Sequence, residues 1–282
     1  MQDMPSDLPE GAFRRRPLDA DKYSVGTVAV VGGSVRYANA PVMAGLGARA
    51  AGAGLVSLVV PEASRICAAV HLPEATFIPL SPTFTPPRAD VFVVGMGLGV
   101  CEDSELTVSR ILSGVGGRFV LDADALTIIS GWNGRSGGFT PAEGQEVILT
   151  PHEGEAARLL ATAREAVKGD RMSAAKAIAK KYGATVVLKG AGTLVVSKDG
   201  SRVYVNGTGN PFMALGGMGD LLAGAIGARW ACLKSDAFTA ACSAVWLHGA
   251  ASDRLVAAER DPSIVNTAAE IGSLRIQICS KI

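Results

Sequence analysis

The stretch TVAVVGGS at residues 27–34 indicates the fold class of this 282-residue chain. Its first five residues are apolar or β-branched and lead directly into two glycines. That pattern is typical of a strand buried on both faces of a parallel sheet. Similar runs recur along the chain and alternate with helical patterns. The predicted strands are Thr27–Val31, Leu55–Val60, Ala75–Leu80, Asp90–Val94, Arg118–Leu121, Glu146–Thr150, Thr185–Leu188, Leu194–Ser197 and Arg202–Val205.

The alternation predicts a three-layer α/β/α fold, in which a mostly parallel sheet carries helices on both faces. The dipeptide Asp199-Gly200 predicts a tight hairpin between the last two strands. Other segments have helical spacing or are rich in glycine. Helices are expected at Pro41–Ala51, Glu102–Leu112 and Arg171–Tyr182 and from Met218 onward, and a glycine-rich loop at Gly131–Gly144.

No linker, repeat or low-complexity segment divides the chain, so we expect a single domain over residues 1–282. Residues 1–22 are polar and contain proline, and we expect them to form a loosely ordered arm. The basic triplet Arg14-Arg15-Arg16 in this arm is either solvated or binds phosphate.

The composition excludes several classes of protein. Apolar residues make up 48% of the chain but aromatic residues only 5%, and no apolar run is long enough to cross a bilayer. A net charge of +1 gives no bulk attraction to nucleic acid or to an anionic membrane. The five cysteines are scattered without paired spacing, which predicts a cytoplasmic protein. The three histidines lie far apart, so we predict no protein-bound metal site.

Glycines and polar residues repeatedly follow the predicted strands. The carboxyl ends of parallel strands lie along one edge of a sheet, and ligands bind at that edge in open α/β folds. Six such loops predict a single ligand site there. They are Gly32-Gly33-Ser34, Gly95–Gly99, Asp122, Pro151-His152, Lys189–Thr193 and Asn206–Gly219.

The stretch Asn210–Gly224 joins a glycine-dense turn to a long Ala- and Leu-rich helix. Gly216, Gly217 and Gly219 leave bare N–H groups against which an anion can lie, and the helix directs its positive end at the same spot. Asp220 follows at once. It is either a base that takes a proton from a hydroxyl beside a phosphoryl group or an ordinary acid at a helix N-terminus, and the stretch alone favours neither.

The other common nucleotide motifs are absent. The turn after the first strand does not match Gly-x-Gly-x-x-Gly, and neither does the segment around Gly97-Leu98-Gly99. No Gly-Lys-Ser/Thr sequence occurs, because Lys189-Gly190 has the reverse order. A glycine cradle that ends in an acid remains, which suits phosphoryl transfer to a hydroxyl acceptor.

The chain resembles the ADP- or ATP-dependent NAD(P)H-hydrate dehydratases, the carboxy-terminal half of YjeF-type proteins within the ribokinase-like superfamily. The resemblance extends from about Lys22 over nearly the whole chain, and the order and spacing of its motifs make it specific. The motifs are Gly32-Gly33-Ser34 with Ala40-Pro41, Gly52–Val56, Gly97-Leu98-Gly99, Leu121–Leu126, Leu149–Glu155, Leu188–Thr193 and Gly209–Gly224.

The resemblance implies repair of NADH hydrate and NADPH hydrate, in which phosphoryl transfer to the C6 hydroxyl is followed by loss of phosphate. It implies ADP, or alternatively ATP, as donor, together with Mg²⁺, and a homo-oligomer, tetrameric in the family. It also implies that any hydrate epimerase is a separate protein. The implied residues are Asp220 as catalytic base; Gly216, Gly217, Met218 and Gly219 as anion hole; Lys189, Gly190, Ala191, Gly192, Thr193 and Gly219 for the nucleotide; and Ala40, Gly97, Gly99, His152 and Asp220 for the hydrate.

The chain departs from the family pattern in the glycine turn. Phe212, Leu215 and Met218 stand where the family has one glycine and two threonines. Because the hydroxyls are missing but the backbone N–H groups remain, we expect an active enzyme with altered nucleotide affinity. A small-molecule kinase of the same superfamily and a nucleotide-binding protein with weakened catalysis stay open as alternatives.

Several side chains allow two interpretations. His152 is expected to contact the ligand, whereas His248 lies in an Ala-rich helix and is expected to serve packing. Lys189 is either a phosphate contact or an ion-pair partner of Asp122 or Asp124. The two aspartates either hold a metal ion through water or cap the next helix, and capping is the preferred interpretation.

Overall fold

The computed structural model describes residues 8–81, 83–114, 116–132 and 138–282. Nine strands form one sheet in the order β3-β2-β1-β4-β5-β6-β7-β8-β9. Neighbouring strands from β3 through to β7 pair in parallel, whereas β8 and β9 pair antiparallel at one edge. The mostly parallel sheet predicted from the sequence is confirmed. The strands are β1 Thr27–Val31, β2 Leu55–Val60, β3 Thr76–Pro79, β4 Val91–Val94, β5 Gly117–Leu121, β6 Gln145–Leu149, β7 Thr185–Leu188, β8 Leu194–Val196 and β9 Val203–Val205.

Helices cover both faces of the sheet, which confirms the three-layer arrangement. Side chains along a strand alternate between faces, so Val28 and Val30 enter one core while Ala29 and Val31 enter the other. The first core lies under α2 Ala40–Ala51, α3 Glu62–His71, α9 Met218–Leu233, α10 Ala237–Ala257 and α11 Ile264–Cys279. The second lies under α4 Glu102–Gly114, α5 Asp124–Gly131, α6 Glu153–Leu160, α7 Arg164–Gly169 and α8 Arg171–Tyr182, and the short helix α1 Lys22–Val25 precedes β1.

Helices α2 and α9 cross with their backbones in contact. A Cβ atom added at Gly47 would lie 1.9 Å from the carbonyl oxygen of Leu221, and one added at Gly224 would lie 1.8 Å from that of Ala44. Only glycine fits at these two positions, because any side chain would force the helices apart. The contact fixes the position of α9, whose first turn carries Asp220.

The amino-terminal segment differs from the loosely ordered arm predicted over residues 1–22. Residues 1–7 lie outside the described ranges, but Ala12 and Phe13 are buried. The Ala12 carbonyl accepts hydrogen bonds from Arg229 Nη2 at 2.9 Å and Ser243 Oγ at 2.6 Å. The Phe13 ring packs edge-on against Trp246. The buried Phe13 side chain therefore anchors the middle of this segment to the core.

Some local structure was not predicted from the sequence. Helices α5 and α7 are additional. The region from Met218 onward is helical as predicted and consists of α9, α10 and α11, with the first break at Lys234, whose φ is +52°. The predicted Gly131–Gly144 loop includes residues 133–137, which lie outside the described ranges. The hairpin at Asp199-Gly200 is present, with a φ of +75° at Gly200. Within the described ranges, no helix is both long and apolar enough to span a membrane.

Candidate functional site

A cleft of about 1040 Å³ opens at the carboxyl edge of the sheet. It lies between the loop after β7, the segment after β9 and the first turn of α9. Eight of the fourteen predicted site residues line it, namely His152, Lys189, Gly190, Ala191, Gly192, Thr193, Met218 and Gly219. Six others are not among its lining residues: Ala40, Gly97, Gly99, Gly216, Gly217 and Asp220.

The glycine turn before α9 is anchored to α10. Asn210 caps a single 3-10 turn at Pro211–Met213, because its Oδ1 accepts a hydrogen bond from the Phe212 amide at 3.2 Å. Its Nδ2 donates to Asp253 Oδ1 at 2.8 Å and to Ser252 Oγ at 3.0 Å. These bonds fix the direction in which the chain approaches the helix.

Gly217 is the N-cap residue of α9 and has a φ of +92°. A Cβ atom at this position would lie 2.1 Å from Met43 Sδ, so both the backbone conformation and the packing require glycine. Within the described part of the chain, the amides of Gly216, Gly217, Gly219 and Asp220 have no hydrogen-bond acceptor. The Met218 amide, which was also predicted for the anion hole, instead donates to the Leu215 carbonyl at 3.3 Å. Unpaired amides at the positive end of a helix form a site for an anion.

Asp220 lies in the first turn of α9 and is partly buried. The pKa of its carboxyl is raised to about 7, chiefly by burial and then by the charge of Asp122; Asp124 and Glu155 also raise it, whereas Lys189 lowers it. No described residue donates a hydrogen bond to the carboxylate, and it does not cap the helix. This environment favours the base over the ordinary helix-terminal acid, since a base with a pKa near neutrality is efficient at neutral pH.

Lys189 follows β7 and forms ion pairs with two carboxylates. Its Nζ lies 2.6 Å from Asp122 Oδ1 and 3.8 Å from Glu155 Oε2. Burial acts to lower the pKa of Lys189, but Asp122 and Glu155 raise it, so the ammonium stays charged. A Cβ added at Gly219 would lie 3.5 Å from the same Nζ, which places the ammonium at the start of α9. Lys189 is therefore an ion-pair partner of Asp122 that also lines the cleft.

Arg171 is a site residue that sequence reasoning missed. Its Nη1 donates to the carbonyls of Ala191 at 2.7 Å and Gly192 at 3.1 Å, and its Nη2 donates to those of Leu188 and Lys189, both at 3.2 Å. One guanidinium therefore holds the whole loop after β7. No local signal identifies this role, because Arg171 begins α8 and reaches back across the fold.

His152 is the N-cap residue of α6. Its Nδ1 accepts hydrogen bonds from the amides of Gly154 at 2.9 Å and Glu155 at 3.3 Å, while Glu155 Oε2 accepts one from the His152 amide at 2.8 Å. Burial and then the positive charge of Lys189 lower the pKa of His152, so the ring is neutral at pH 7. It therefore has a structural role as well as a place in the cleft wall, and Nδ1 is already occupied.

Ala40, Gly97 and Gly99 form a second group at the same edge. A Cβ added at Gly97 would lie 3.0 Å from the Cβ of Ala40 and 2.7 Å from that of Tyr37, so the two loops are in contact. The Gly99 amide donates to Asp124 Oδ2 at 2.7 Å. Tyr37 is half-exposed beside this group and was not among the predicted site residues.

The capping interpretation of Asp122 and Asp124 is wrong. The N-cap residue of α5 is Ala123, with a φ of +52°, and no side chain caps this helix. Asp122 instead pairs with Lys189, and Asp124 accepts the Gly99 amide. Both carboxylates thus organise the loops around Asp220.

The three departures in the glycine turn have different environments. Phe212 is 64% exposed and Leu215 46%, whereas Met218 is only 5% exposed. Leu215 and Met218 both line the cleft. Apolar side chains therefore contribute to its wall where hydroxyls were expected.

The three-layer arrangement, with unpaired amides and an acid at one helix N-terminus, has a ribokinase-like fold. The chain belongs to the NAD(P)H-hydrate dehydratase family, whose profile matches residues 28–271. The family resemblance predicted from the sequence is confirmed.

Relatives at the level of sequence include an ADP-dependent (S)-NAD(P)H-hydrate dehydratase from Neisseria meningitidis. The two are 40% identical over 250 residues, which cover 86% of this chain and 81% of that protein. A bifunctional NAD(P)H-hydrate repair enzyme from Gloeobacter violaceus is 38% identical over 252 residues. The match covers 86% of this chain but only 47% of that enzyme, so the chain spans about half the length of the bifunctional relative.

Solved structures agree with this assignment. An ADP/ATP-dependent NAD(P)H-hydrate dehydratase from Bacillus subtilis, co-crystallised with ATP and Mg²⁺, superposes with a TM-score of 0.84 at 26% identity. The superposition covers 98% of this chain and all of that one. A hydroxyethylthiazole kinase from Pyrococcus horikoshii has a TM-score of 0.57 at 19% identity over 91% of this chain and 92% of that one, a likeness of fold alone.

Proposed function

We propose that this protein dehydrates (S)-NAD(P)H hydrate to NAD(P)H, with ADP or ATP as phosphoryl donor. The observation that carries the proposal is the position of Asp220, a partly buried and unpaired carboxylate beside free amides at the start of α9. The Neisseria meningitidis and Bacillus subtilis relatives, whose names describe this reaction, support it.

In the first step, the C6 hydroxyl oxygen of the hydrate attacks the terminal phosphorus of the nucleotide. The bond from that phosphorus to its bridging oxygen breaks, so ADP leaves AMP and ATP leaves ADP. Asp220 accepts the hydroxyl proton, which a carboxyl with a pKa of about 7 can do at neutral pH. The free amides of Gly216, Gly217 and Gly219 stabilise the negative charge on the phosphoryl oxygens while the phosphoryl group is transferred.

In the second step, phosphate leaves C6 with the electrons of the carbon–oxygen bond. The ring nitrogen supplies an electron pair to C6, and water takes a proton from C5, whose C–H electrons restore the C5–C6 double bond of NAD(P)H. Hydroxide is a poor leaving group and phosphate a good one, so the chemistry explains why a nucleotide is consumed.

The cleft is the proposed nucleotide site. Its volume of about 1040 Å³ suits a nucleotide, and the loop Lys189–Thr193 forms one wall with Gly219 opposite. The family's Mg²⁺ would neutralise phosphate charge. No group of three His, Cys, Asp or Glu side chains suited to a metal is present within the described ranges. Mg²⁺ usually keeps several waters and binds through phosphates and one or two carboxylates, so its binding does not require such a cluster.

Ala40, Gly97 and Gly99 are the proposed contacts for the hydrate, together with His152 and Asp220. The first three lie outside the cleft, near Asp124, whose charge acts on Asp220. The hydrate would then approach Asp220 from a different direction than the nucleotide, as an in-line transfer requires.

The test is incubation of the purified protein with NADH hydrate, ADP and Mg²⁺. We expect NADH, AMP and free phosphate in equal amounts. A stable phosphorylated product would instead identify a small-molecule kinase, and absence of turnover by the intact protein would contradict the proposal. Asp220→Asn should abolish turnover while retaining nucleotide binding, and Asp199→Asn in the distant hairpin serves as the matched control.

We also propose an oligomeric state and a cellular location for this protein. The exposed apolar side chains Val265 and Ile276 on α11 support a homo-oligomer, for which a tetramer is proposed from the family. All five cysteines are free thiols, which supports a location in the reducing cytoplasm. Light scattering would test the first statement: a tetramer is expected, and a monomer would contradict it.

A further inference from the structure

A second cavity, of about 310 Å³, lies at the opposite end of α9 from Asp220. Its wall includes Leu233 and Lys234, where α9 ends, whereas the proposed catalytic residue lies in the first turn. A helix of 16 residues is roughly 24 Å long, so this cavity is separate from the cleft. We call it the arginine pocket, after its arginines Arg14, Arg15, Arg16, Arg229 and Arg275.

The arginine pocket carries a large excess of positive charge. Its wall holds six cationic side chains, the five arginines and Lys234, and two carboxylates, Asp19 and Asp21. The excess is four positive charges, whereas the net charge of the entire chain is +1. The Asp21 carboxylate is already engaged, because it accepts the amides of Tyr23 and Ser24 at the start of α1.

None of the six cations has a carboxylate partner within the described part of the chain. Arg229 is the extreme case, since it is buried and has only neutral partners. These are the Ser243 hydroxyl, the Ala12 and Ala51 carbonyls and the face of the Phe13 ring, so each guanidinium nitrogen has a neutral partner. A buried guanidinium without an anion is unusual, because buried charges are normally paired.

Helix ends offset part of this charge. Helices α2, α9 and α11 all finish at the pocket, and each carboxyl end carries roughly half a negative charge. Arg16 donates to the Gly52 carbonyl at 2.8 Å and Arg275 to that of Ala50 at 3.1 Å, so these two side chains also cap α2. Three helix ends together offset roughly one and a half charges, which leaves roughly two and a half unbalanced.

Arg14 and Arg15, in contrast, do not cap a helix. Both are exposed, and within the described ranges neither makes a hydrogen bond or an ion pair. Their side chains are therefore free to close on a ligand, while Arg229 and Arg275 form the fixed part of the wall. Arginine suits phosphate in particular, because its planar donors bind phosphate oxygens in pairs.

We propose that the arginine pocket binds a small phosphorylated metabolite at a site distinct from the catalytic cleft. The excess charge, the unpaired buried Arg229 and the free pair Arg14 and Arg15 support this binding site. The proposal does not rest on the proposed dehydratase activity, since none of its residues belongs to the cleft.

The test is calorimetric titration of the full chain with inorganic pyrophosphate at low ionic strength and without ADP, because ADP would compete for the arginine pocket as well as for the cleft. Binding that is lost in the arginine variant belongs to the arginine pocket, and binding that remains belongs to the cleft. We compare wild type with Arg14→Gln/Arg15→Gln, whose exposed positions leave the fold intact. The matched control is Lys176→Gln/Lys180→Gln, which removes the same charge from the exposed face of α8. A charge-assisted hydrogen bond to phosphate is strong, so we expect about tenfold weaker binding or more in the arginine variant. The control should stay within about twofold of wild type.

Equal affinities in all three proteins, or no saturable binding by wild type, would overturn the proposal. A loss in the lysine control as large as in the arginine variant would also overturn it, because only bulk charge would then matter. Citrate is a second probe with similar charge but no phosphate. If citrate binds as tightly as pyrophosphate, the assignment to a phosphorylated ligand is wrong; weaker citrate binding supports it.

Discussion

Asp122 Oδ1 lies 2.6 Å from Lys189 Nζ, and Asp122 itself is only 1% exposed. The pair joins the end of β5 to the end of β7 across β6, which lies between them in the sheet. Asp122 also raises the pKa of Asp220, whereas Lys189 lowers it. One ion pair therefore both connects two loops of the site and tunes the proposed base.

The first prediction concerns Asp122→Asn. Loss of this negative charge removes a cause of the raised Asp220 pKa and leaves Lys189 to act more strongly in the opposite direction. The acidic limb of the pH–rate profile should therefore move to lower pH than in wild type. Stability should also fall by about 3 kcal/mol or more, because a buried cation loses its closest partner.

The measurements for Asp122→Asn are kcat/KM against pH and urea unfolding. Asp124→Asn is an informative comparison, because Asp124 also raises the Asp220 pKa but is not paired with Lys189. It should shift the limb in the same direction with less loss of stability. An unchanged limb in both variants would show that Asp220 is not the titrating group.

The second prediction is the pH dependence of the wild-type enzyme. Asp220 must be deprotonated to accept the hydroxyl proton, and its pKa is raised to about 7. Consequently kcat/KM should fall about tenfold for each pH unit below 7 and reach a plateau above it. An acidic limb centred near pH 4, the usual range of an aspartate, would contradict the assignment.

The third prediction follows from the same carboxyl but concerns stability. Its folded pKa lies above its unfolded value of 3.8, so the folded state holds the proton more tightly. Asp220 therefore costs stability progressively as pH rises from about 4 to about 7, by at most about 4 kcal/mol, and less because the side chain is partly solvated.

Asp220→Asn removes this penalty. The variant should match wild type in urea unfolding near pH 4 and exceed it near pH 8, although it is inactive. A variant equally stable or less stable at the higher pH would show that the carboxylate is well solvated in the folded protein, and the raised pKa would then be wrong.

The sequence predicts the strands well because their signal is local. Each parallel strand is a short apolar run bounded by glycine or proline, and β1 at Thr27–Val31 and β7 at Thr185–Leu188 have the predicted bounds. The carboxyl-edge rule then brings Lys189 to the cleft without any knowledge of packing. Helix α5 was not predicted because no side chain caps its first turn, which follows Asp122 and Ala123.

The contacts that join distant segments could not be predicted. Arg171 reaches four carbonyls of the loop after β7, and Phe13 fills a slot in the core beside Trp246. Both depend on the spatial position of residues far apart in sequence, for which composition and periodicity give no signal. For the same reason, the sequence could not show whether Lys189 contacts phosphate or pairs with Asp122 or Asp124. Only the fold determines which carboxylate lies nearest to it.

The fourth prediction concerns the close crossing of α2 and α9. Gly47→Ala places a Cβ 1.9 Å from the backbone oxygen of Leu221, which cannot move without displacing α9. We expect a loss of about 1–3 kcal/mol in unfolding free energy, and a fall in kcat as Asp220 shifts with the helix.

The matched control for Gly47→Ala is Gly114→Ala. Gly114 is also helical and has no atom within 4 Å of an added Cβ, so alanine should be neutral or stabilise the helix by about 0.5–1 kcal/mol. If Gly47→Ala behaves as Gly114→Ala does, the two helices do not make the backbone contact described above.

The fifth prediction concerns the two apolar side chains in the glycine turn. Leu215 is half-exposed at the cleft wall, so Leu215→Thr can present a hydroxyl to a phosphate at little structural cost. A hydrogen bond of this kind contributes about 0.5–1.5 kcal/mol, which should lower the Kd for ADP by roughly twofold to tenfold.

Met218→Thr differs because Met218 is buried. The smaller side chain leaves a cavity in the first core, so stability should fall by about 2 kcal/mol whatever happens to the nucleotide. The double variant separates the two effects when ADP binding is measured by calorimetry and stability by urea unfolding. Phe212→Thr is the control, since Phe212 is exposed and does not line the cleft. If Leu215→Thr binds ADP no better than Phe212→Thr does, the bound phosphates lie out of reach of residue 215 and the backbone amides alone hold them.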